Sequence, residues 1–287
     1  MRDSIKTGRV RSAWRWSANH VFTLLAVGST VLVLAPLVAI FIYLLYKGAS
    51  SLNWAFFTQI PKPVGESGGG MANAIVGSGI ILAIASAIGI AGGVYLSEYG
   101  RGRMLANAVR FTADVLNGVP SIVMGISVYA LIVLKAKHFS GYSGGVALGI
   151  MMIPTVIRTT EEMLLTVPSA IREAALGLGV PAWRAVVSVS LKTASPGIIT
   201  GCMLAFARVA GETAPLLFTA FGNAFWSTNP NQPMAALPLQ IYVYAISPYD
   251  DWHRLAWAGA LVLIAMIMVS VSLVRYVASR GILKGAS

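Results

Sequence analysis

The sequence predicts an all-α protein that crosses a membrane several times. Of its 287 residues, 56% are hydrophobic and only 11% are charged, whereas a soluble protein averages about 25% charged residues. The apolar residues are gathered into long uncharged runs, and most of the Lys and Arg residues lie between these runs. A helix satisfies all of its own backbone hydrogen bonds, so such runs cross a bilayer as helices.

Six runs are candidate membrane spans. They cover residues 21–46, 71–97, 115–134, 139–157, 196–221 and 255–274. The fourth is short and rich in glycine, so it could tilt or cross incompletely. We therefore expect one polytopic domain with six transmembrane helices over residues 21–278, between an N-terminal segment, 1–20, and a C-terminal tail, 279–287.

The distribution of basic residues predicts the orientation. With the N-terminus in the cytoplasm, the inner segments carry 15 of the 21 Lys and Arg residues and the outer segments carry five. Cytoplasmic loops hold an excess of Lys and Arg, so both termini are expected in the cytoplasm. The same distribution explains the net charge of +11. A nucleic-acid partner is not expected, because the sequence shows no basic surface with interleaved aromatic residues.

Two charged residues, Arg208 and Glu212, fall inside the fifth run. They are four residues apart, so on one helix they share a face. Arg208 lies twelve residues into the run, about 18 Å along a helix and near the bilayer midplane. A charged side chain at that depth costs roughly 2.5–3.5 kcal/mol on insertion scales, and such residues mark polar pathways or paired charges.

The residues around this pair suggest how an anion passes. The planar guanidinium of Arg208 suits a tetrahedral oxyanion, Glu212 could neutralise it in an empty pathway, and Thr213 adds a hydroxyl group. Pro215 lacks an N–H for the Gly211 carbonyl, which predicts a kink that could act as a gate. A static ion pair that holds two helices in register is the alternative, and it stays open.

Glycines spaced by four predict where helices pack closely. The motif Gly89-x-x-x-Gly93 lies in the second run and Gly145-x-x-x-Gly149 in the fourth. Small residues at this spacing let helix backbones approach one another.

The inner segment 158–195 is long for a connection. Ser169 fits the cap of a short helix, Gly179 fits its C-terminal end, and Pro181 fits the start of a second helix. The segment is expected to form two short helices, joined by a turn, that lie against the inner membrane face.

The first of these helices carries a family resemblance. Glu173-Ala174-Ala175, with Gly177 and Gly179 after it, resembles the EAA loop of ABC-importer permeases. The resemblance implies a type I ABC-importer permease fold and a cytoplasmic coupling helix. In that helix, Glu173, Ala174, Ala175, Gly177 and Gly179 would dock onto an ATP-hydrolysing subunit. The family pattern continues with Ile-x-Leu-Pro, and this chain has Lys192 where the proline is expected.

Three further stretches narrow the resemblance. Residues 157–162, 172–179 and 207–218 are similar to permeases of phosphate importers, and the continuation 214–218 with 237–241 is similar to their A-type subunit. The resemblance covers about residue 68 to the C-terminus. It implies a multi-pass protein of the cytoplasmic (inner) membrane, with inorganic phosphate as cargo. The implied partners are a second homologous permease, two ATP-binding cassette subunits that hold ATP and Mg, and an external phosphate-binding protein.

Other functions have less support in the sequence. It contains no Gly-Lys dipeptide, so the nucleotide-binding P-loop is absent. His20, His138 and His253 show no metal-binding spacing. We therefore expect no catalysis, cofactor or metal of the chain's own. The open alternatives are the partner-type phosphate permease, a permease for molybdate or sulfate, a self-contained secondary transporter or channel, and a structural membrane anchor.

Overall fold

The computed structural model describes residues 2–66, 68–99 and 104–284, which are largely helical. In this part of the chain there is no β-strand, and a single bridge joins Phe221 to Met234. The helices, in chain order, are α1 (Arg2–Ser51), α2 (Trp54–Thr58), α3 (Ala72–Tyr99), α4 (Met104–Gly118), α5 (Ser121–Ala136), α6 (Gly141–Leu165), α7 (Ser169–Gly177), α8 (Ala182–Ala210), α9 (Ala214–Thr219), α10 (Leu237–Ala245) and α11 (Asp250–Lys284).

Several of these helices are able to cross a membrane. Among the described residues, α1, α3, α8 and α11 are long and apolar enough, and the bent pair α4–α5 adds a fifth if it is one span. Helix α6 has 25 residues, which is enough to cross, but its glycine- and threonine-rich sequence is less apolar. The chain is thus a multi-pass membrane protein, and the number of six spans stays a prediction.

The third predicted span, 115–134, is wrong as a straight helix. Helix α4 ends at Gly118, α5 begins at Ser121, and the two helices meet at a bend of 111°. Pro120 stands between them with φ −57° and ψ 137°. A proline lacks the N–H of a helical bond and pushes the preceding residue out of the helical region. The apolar helix of this bent pair, α5, therefore begins at residue 121.

The fifth predicted span, 196–221, is wrong at both ends. Helix α8 begins at Ala182 and ends at Ala210. It passes through a π-helical turn (Val186–Ser190) and continues past Pro196. That proline deprives the Lys192 carbonyl of its usual backbone donor, and the Ser195 hydroxyl donates to the same oxygen at 2.8 Å. The helix therefore starts 14 residues earlier than the hydrophobic run indicates.

The first and last helices extend into the predicted terminal segments. Helix α1 already begins at Arg2, within the predicted N-terminal segment, and α11 continues to Lys284, within the predicted C-terminal tail. Residues 285–287 lie outside the described part of the chain. The described ends of the chain, Arg2 and Lys284, therefore belong to helices that carry apolar spans.

Helix α6 is the centre of the packing, and its main neighbour is α3. A Cβ atom on Gly149 would lie 2.9 Å from the Cβ of Ile88, and one on Gly93 would lie 2.6 Å from the Cβ of Val156. Both distances are too short for carbon atoms. The two predicted glycine motifs thus face each other across α3 and α6, which confirms their role in close packing.

Two further close contacts place α8 against α6 and α5 against α9. Helix α8 lies against α6, where a Cβ on Gly201 would come within 2.5 Å of the Thr159 Cβ. Helix α5 lies against α9, where a Cβ on Gly125 would come within 2.7 Å of the Pro215 Cα. The core between these helices is apolar, and its fully buried side chains include Ile81, Leu148, Met152, Val156, Val209 and Leu216.

We expect Gly149→Leu to destabilise the protein. The new side chain has no space against α3, and overpacking of a filled interior costs about 1–3 kcal/mol or more. The temperature of unfolding of the purified protein in detergent should fall. Gly28→Leu is the matched control, since nothing lies within 4 Å of a Cβ at Gly28 on α1. Equal unfolding temperatures for the two variants would contradict the packing described here.

Candidate functional site

The predicted pathway residues lie where α8 ends. Arg208 is in the last turn of the helix, which stops at Ala210, and Gly211 has φ −95° and ψ 0°. The backbone N–H of Glu212 donates to the Val209 carbonyl at 3.1 Å. Helix α9 then begins at Ala214, with Thr213 before it and Pro215 in its first turn. The predicted kink is therefore a complete break in the helix.

This break corrects the predicted geometry of the charge pair. Arg208 is exposed and Glu212 is half-buried, and among the ion pairs of the described residues none joins them. Glu212 lies beyond the helix end, so the two side chains do not share a helix face. Arg208 is near one end of the 29-residue helix, not at its middle. The role of Arg208, Glu212 and Thr213 in a pathway stays a prediction.

Contacts on both sides fix the break in place. The Thr213 hydroxyl donates to the Pro238 carbonyl of α10 at 3.4 Å. Pro215 is buried, and a Cβ added to Gly125 of α5 would lie 2.7 Å from its Cα. Thr213 and Pro215 thus hold the chain between α10 and α5, and Gly211 is exposed at the turn.

Two cavities in the described part of the chain lie away from Arg208. One of about 570 Å³ lies beside the segment after α9, and its lining includes Lys62, Phe221, Asn223, Gln240 and Trp252. A groove of about 360 Å³ runs between α3, α8 and α11, and its lining includes Gly79, Met203, Phe206 and Met266. Arg208 lines neither.

Helix α7 contains the EAA residues near its middle. Glu173 and Ala174 are exposed, while Ala175 is buried. The helix ends in a Schellman motif: the Val180 N–H donates to the Ala175 carbonyl at 3.2 Å, and the Gly179 N–H donates to the Leu176 carbonyl at 2.9 Å. Gly179 has φ +80°, a conformation that favours glycine, so the predicted helix end is confirmed.

Two details of the predicted inner segment are wrong. Pro168 is the N-cap residue of α7 and no side chain caps the helix, so Ser169 is its first helical residue and not its cap. The helix that follows Pro181 is not a second short one, because it continues as α8 to Ala210. The physical reason is that the helix continues through both irregular places: a π-turn forms at Val186–Ser190, and the Ser195 hydroxyl replaces the donor that Pro196 lacks.

A contact that sequence reasoning missed joins α7 to α8. The guanidinium of Arg172 donates to the Ser190 hydroxyl at 3.3 Å from Nε and 3.2 Å from Nη2. Ser190 is completely buried at the end of the π-turn. Helix α7 is therefore fixed to the base of the long helix that carries Arg208 at its other end.

The surface around α7 is unusually apolar. Leu178 is 85% exposed and Trp183 is 64% exposed, and Ile171 and Leu176 are also exposed. Exposed apolar residues that cluster beside polar ones mark a contact surface. Only the fold brings Trp183 to this surface, because it belongs to the next helix, α8.

Two ion pairs tie α4 to the end of α6. Arg110 Nε lies 2.9 Å from Glu161 Oε1, and Arg158 binds both carboxylate oxygens of Asp114. The bond to Asp114 raises the pKa of the Arg158 guanidinium. Sequence reasoning identified neither of these pairs. These pairs hold α4, the helix before the bend at Pro120, against α6. Helix α6 in turn leads directly into α7.

A family profile described as "binding-protein-dependent transport system inner membrane component" matches residues 87–281. The chain belongs to this family. Its relatives include the "Phosphate transport system permease protein PstA" of Yersinia pestis, which is 44% identical over 92% of this chain and 91% of its own length. A protein of the same name from Xylella fastidiosa (strain Temecula1) is 48% identical over 79% of this chain and 80% of its own length.

Solved structures support the fold of this permease family. A chain of the MetNI methionine ABC transporter, in an inward-facing conformation, has a TM-score of 0.54 at 18% identity and covers 75% of this chain and 96% of that one. An amino acid ABC transporter solved with histidines has a TM-score of 0.51 at 15% identity, and the match covers 75% of this chain and 92% of that one. The chain therefore has an ABC-importer permease fold.

We expect Glu161→Ala to destabilise the protein more than Glu162→Ala. Glu161 is 14% exposed and pairs with Arg110, whereas Glu162 is exposed. A partly exposed ion pair contributes about 0.2–1 kcal/mol, so the unfolding temperature should fall by a few degrees at most for Glu161→Ala. The fall should shrink in high salt, which screens charges. Equal effects of the two substitutions would contradict the pairing.

Proposed function

We propose that this chain is the permease subunit of an ATP-driven phosphate importer and forms half of its translocation pathway. The observation that carries the proposal is the 44% identity to a phosphate transport permease over 92% of the chain. The chain would sit in the cytoplasmic membrane with both termini in the cytoplasm. It would assemble with a second related permease, two ATPase subunits and an external phosphate-binding protein.

The geometry of α7 supports its role as the coupling helix. Exposed Glu173 and Ala174 present a small polar surface beside exposed Leu178, which suits a helix seated in a cleft of another protein. ATP and Mg would be bound by the partner ATPase subunits, which supply the energy. Because Arg172 binds Ser190 of α8, a movement of α7 would be passed to α8 directly.

The exposed guanidinium of Arg208 supports an anion pathway at the other end of α8. Phosphate must exchange its hydration water for donors, and arginine keeps its charge while it offers several donors in one plane. Glu212, half-buried beyond the helix end, would repel the anion and favour its release. Thr213 would also line the pathway, and its hydroxyl, which donates to the Pro238 carbonyl, would hold the break beside it. A second permease would close the pathway.

The test is uptake by the complete complex in lipid vesicles. Labelled phosphate should enter only with ATP and the ATPase subunits, and sulfate and molybdate should compete poorly. Stronger competition by either anion would indicate a permease for that oxyanion. Uptake by this chain alone, without an ATPase, would indicate a secondary transporter and overturn the proposal.

We expect Arg208→Gln to reduce phosphate uptake by at least about tenfold, because a hydrogen bond to a charged group contributes about 1.5–3 kcal/mol. Assembly should be unchanged, because Arg208 is exposed and makes no ion pair with any described residue. Arg254→Gln is the control, since Arg254 is an exposed cation whose ion pair with Asp251 lies on α11. Normal uptake by Arg208→Gln would reject the pathway role of Arg208.

We expect Ala174→Arg to prevent the ATPase subunits from binding. Ala174 is exposed on α7, so the larger side chain leaves the fold intact but occupies the surface that docks. Co-purification of the ATPase subunits measures the effect. Ala136→Arg, at an exposed alanine at the end of α5, is the matched control. Retention of the ATPase subunits by Ala174→Arg would argue against docking through α7.

A further inference from the structure

Helix α7 packs against the beginning of α8. Among the described residues, its packing neighbours are the first turn of α8 (Ala182–Ala185) and the π-turn that follows (Val186–Ser190). On α7, Ala175 is buried and Arg172 is half-buried, and residues three apart lie on one face of a helix. This face holds α7 against α8, while Glu173 stays exposed.

One polar side-chain contact crosses this junction. The Arg172 guanidinium donates to the hydroxyl oxygen of Ser190 from Nε at 3.3 Å and from Nη2 at 3.2 Å. Ser190 is completely buried. In the described part of the chain, Arg172 is the only residue of α7 whose side chain makes a hydrogen bond to another helix. Hydrogen bonds from a charged donor are stronger than neutral ones, so this contact is the main polar link between α7 and α8.

The connections of α7 are short and each ends in proline. Residues 166–168 lead to α7 from α6, and residues 178–181 lead from α7 to α8. Pro168 and Pro181 are the N-cap residues of the helices that follow them, with φ −57° and −56°. Because the proline ring fixes φ, these connections are stiff. A displacement of α7 is therefore passed along the chain into the first turn of α8.

The next part of α8 is its irregular turn. In the π-turn, the Leu191 N–H donates to the Val186 carbonyl, which lies five residues back instead of four. Single π-turns of this kind interrupt the regular hydrogen bonds of a helix and often occur at functional sites. Because the regular bonds are interrupted here, this turn is the place where α8 can absorb a displacement of α7.

Beyond the π-turn, α8 is regular and firmly packed. Residues Leu191–Ala210 form one continuous α-helix, and the Ser195 hydroxyl donates to the Lys192 carbonyl at 2.8 Å at the turn where Pro196 lacks an N–H. A Cβ on Gly201 would lie 2.5 Å from the Thr159 Cβ, so this stretch lies close against α6. The shape of the π-turn therefore decides whether a movement of α7 reaches the far end of α8.

We propose that Arg172 and Ser190 are positioning residues that couple ATP hydrolysis to transport. Their bond holds the π-turn in one shape, so a displacement of α7 moves the rest of α8. The movement then reaches Arg208, 18 residues beyond Ser190 and about 27 Å along a helix. Without the bond, the π-turn yields, and α7 follows the ATPase subunits while Arg208 stays in place. This inference rests on the proposed function and names the contact through which the coupling helix acts.

The test compares transport with ATP hydrolysis in the complete complex, reconstituted in lipid vesicles. Ser190→Ala removes the acceptor oxygen and leaves the exposed docking surface of α7 unchanged, because Ser190 is buried. The ATPase subunits should still co-purify and hydrolyse ATP. The amount of phosphate taken up per ATP hydrolysed should fall about fivefold or more, a change typical of couplings between two sites.

Ser188→Ala is the matched control, because Ser188 is exposed in the same π-turn. It should keep the original ratio of phosphate taken up to ATP hydrolysed. The proposal is overturned if Ser190→Ala and Ser188→Ala give the same ratio. It is also overturned if uptake and ATP hydrolysis fall by the same factor in Ser190→Ala, since the coupling would then be intact.

A double-variant comparison tests whether the two residues act through their contact. Arg172→Gln should lower the ratio as Ser190→Ala does, and the double variant should lower it no further, because either change alone removes the bond. Reductions that multiply in the double variant would show independent effects and would contradict the proposal. Arg184→Gln, which removes an exposed cation from the first turn of α8, is the control and should keep the ratio.

Loss of assembly and failure of the proposed function give different results. If neither Ser190→Ala nor Arg172→Gln retains the ATPase subunits, the bond serves assembly and the inference is wrong. If the unsubstituted complex takes up sulfate or molybdate and not phosphate, the choice of cargo is wrong, and the ratio is measured with the transported anion. If it couples ATP to phosphate uptake and Ser190→Ala keeps the ratio, only the inference about Arg172 and Ser190 fails. Uptake that needs no ATP would overturn both.

Discussion

The close approach of neighbouring helix backbones to α6 is the constraint on which the rest of the structure depends. Lipid gives helices no hydrophobic reason to associate, so packing must come from shape. Gly93 and Gly149 bring α3 and α6 together, and Gly201 brings α8 against Thr159 of α6. Gly201 therefore fixes which side of α8 is held against α6.

The break after Ala210 gives the two ends of α8 different surroundings. One end is fixed to α7 through Arg172 and Ser190. The other stops at Gly211, where Thr213 and Pro215 hold the chain against α10 and α5. A continuous helix connects these ends, so it acts as a rod between the proposed docking surface and Arg208. If α8 had continued to residue 221, Arg208 would lie in its middle beside Glu212.

The exposed surfaces of the chain suit different surroundings. Helix α1 presents uncharged residues over 21–46, which fit lipid. Around α7, Leu178 and Trp183 are exposed beside Glu173, which fits a protein partner in water. Helix α8 exposes Arg208 beside the break, which fits a hydrated path. The ion pairs between α4 and α6 hold α4 in place, and α4 leads into α5 through the bend at Pro120.

The sequence by itself determined those features that depend on composition or on a few neighbouring residues. These include the membrane class, the packing of Gly93 and Gly149, the end of α7 at Gly179, and the family resemblance around Glu173. Tertiary structure decided the bend at Pro120, the start of α8 at Ala182, and the separation of Arg208 from Glu212. Hydropathy reports how apolar a segment is, not whether its backbone bonds continue. Helix α8 continues past Pro196 because the Ser195 hydroxyl donates to the Lys192 carbonyl. The break after Ala210 is held by contacts with distant segments, such as Gly125 against Pro215, which only the folded chain supplies.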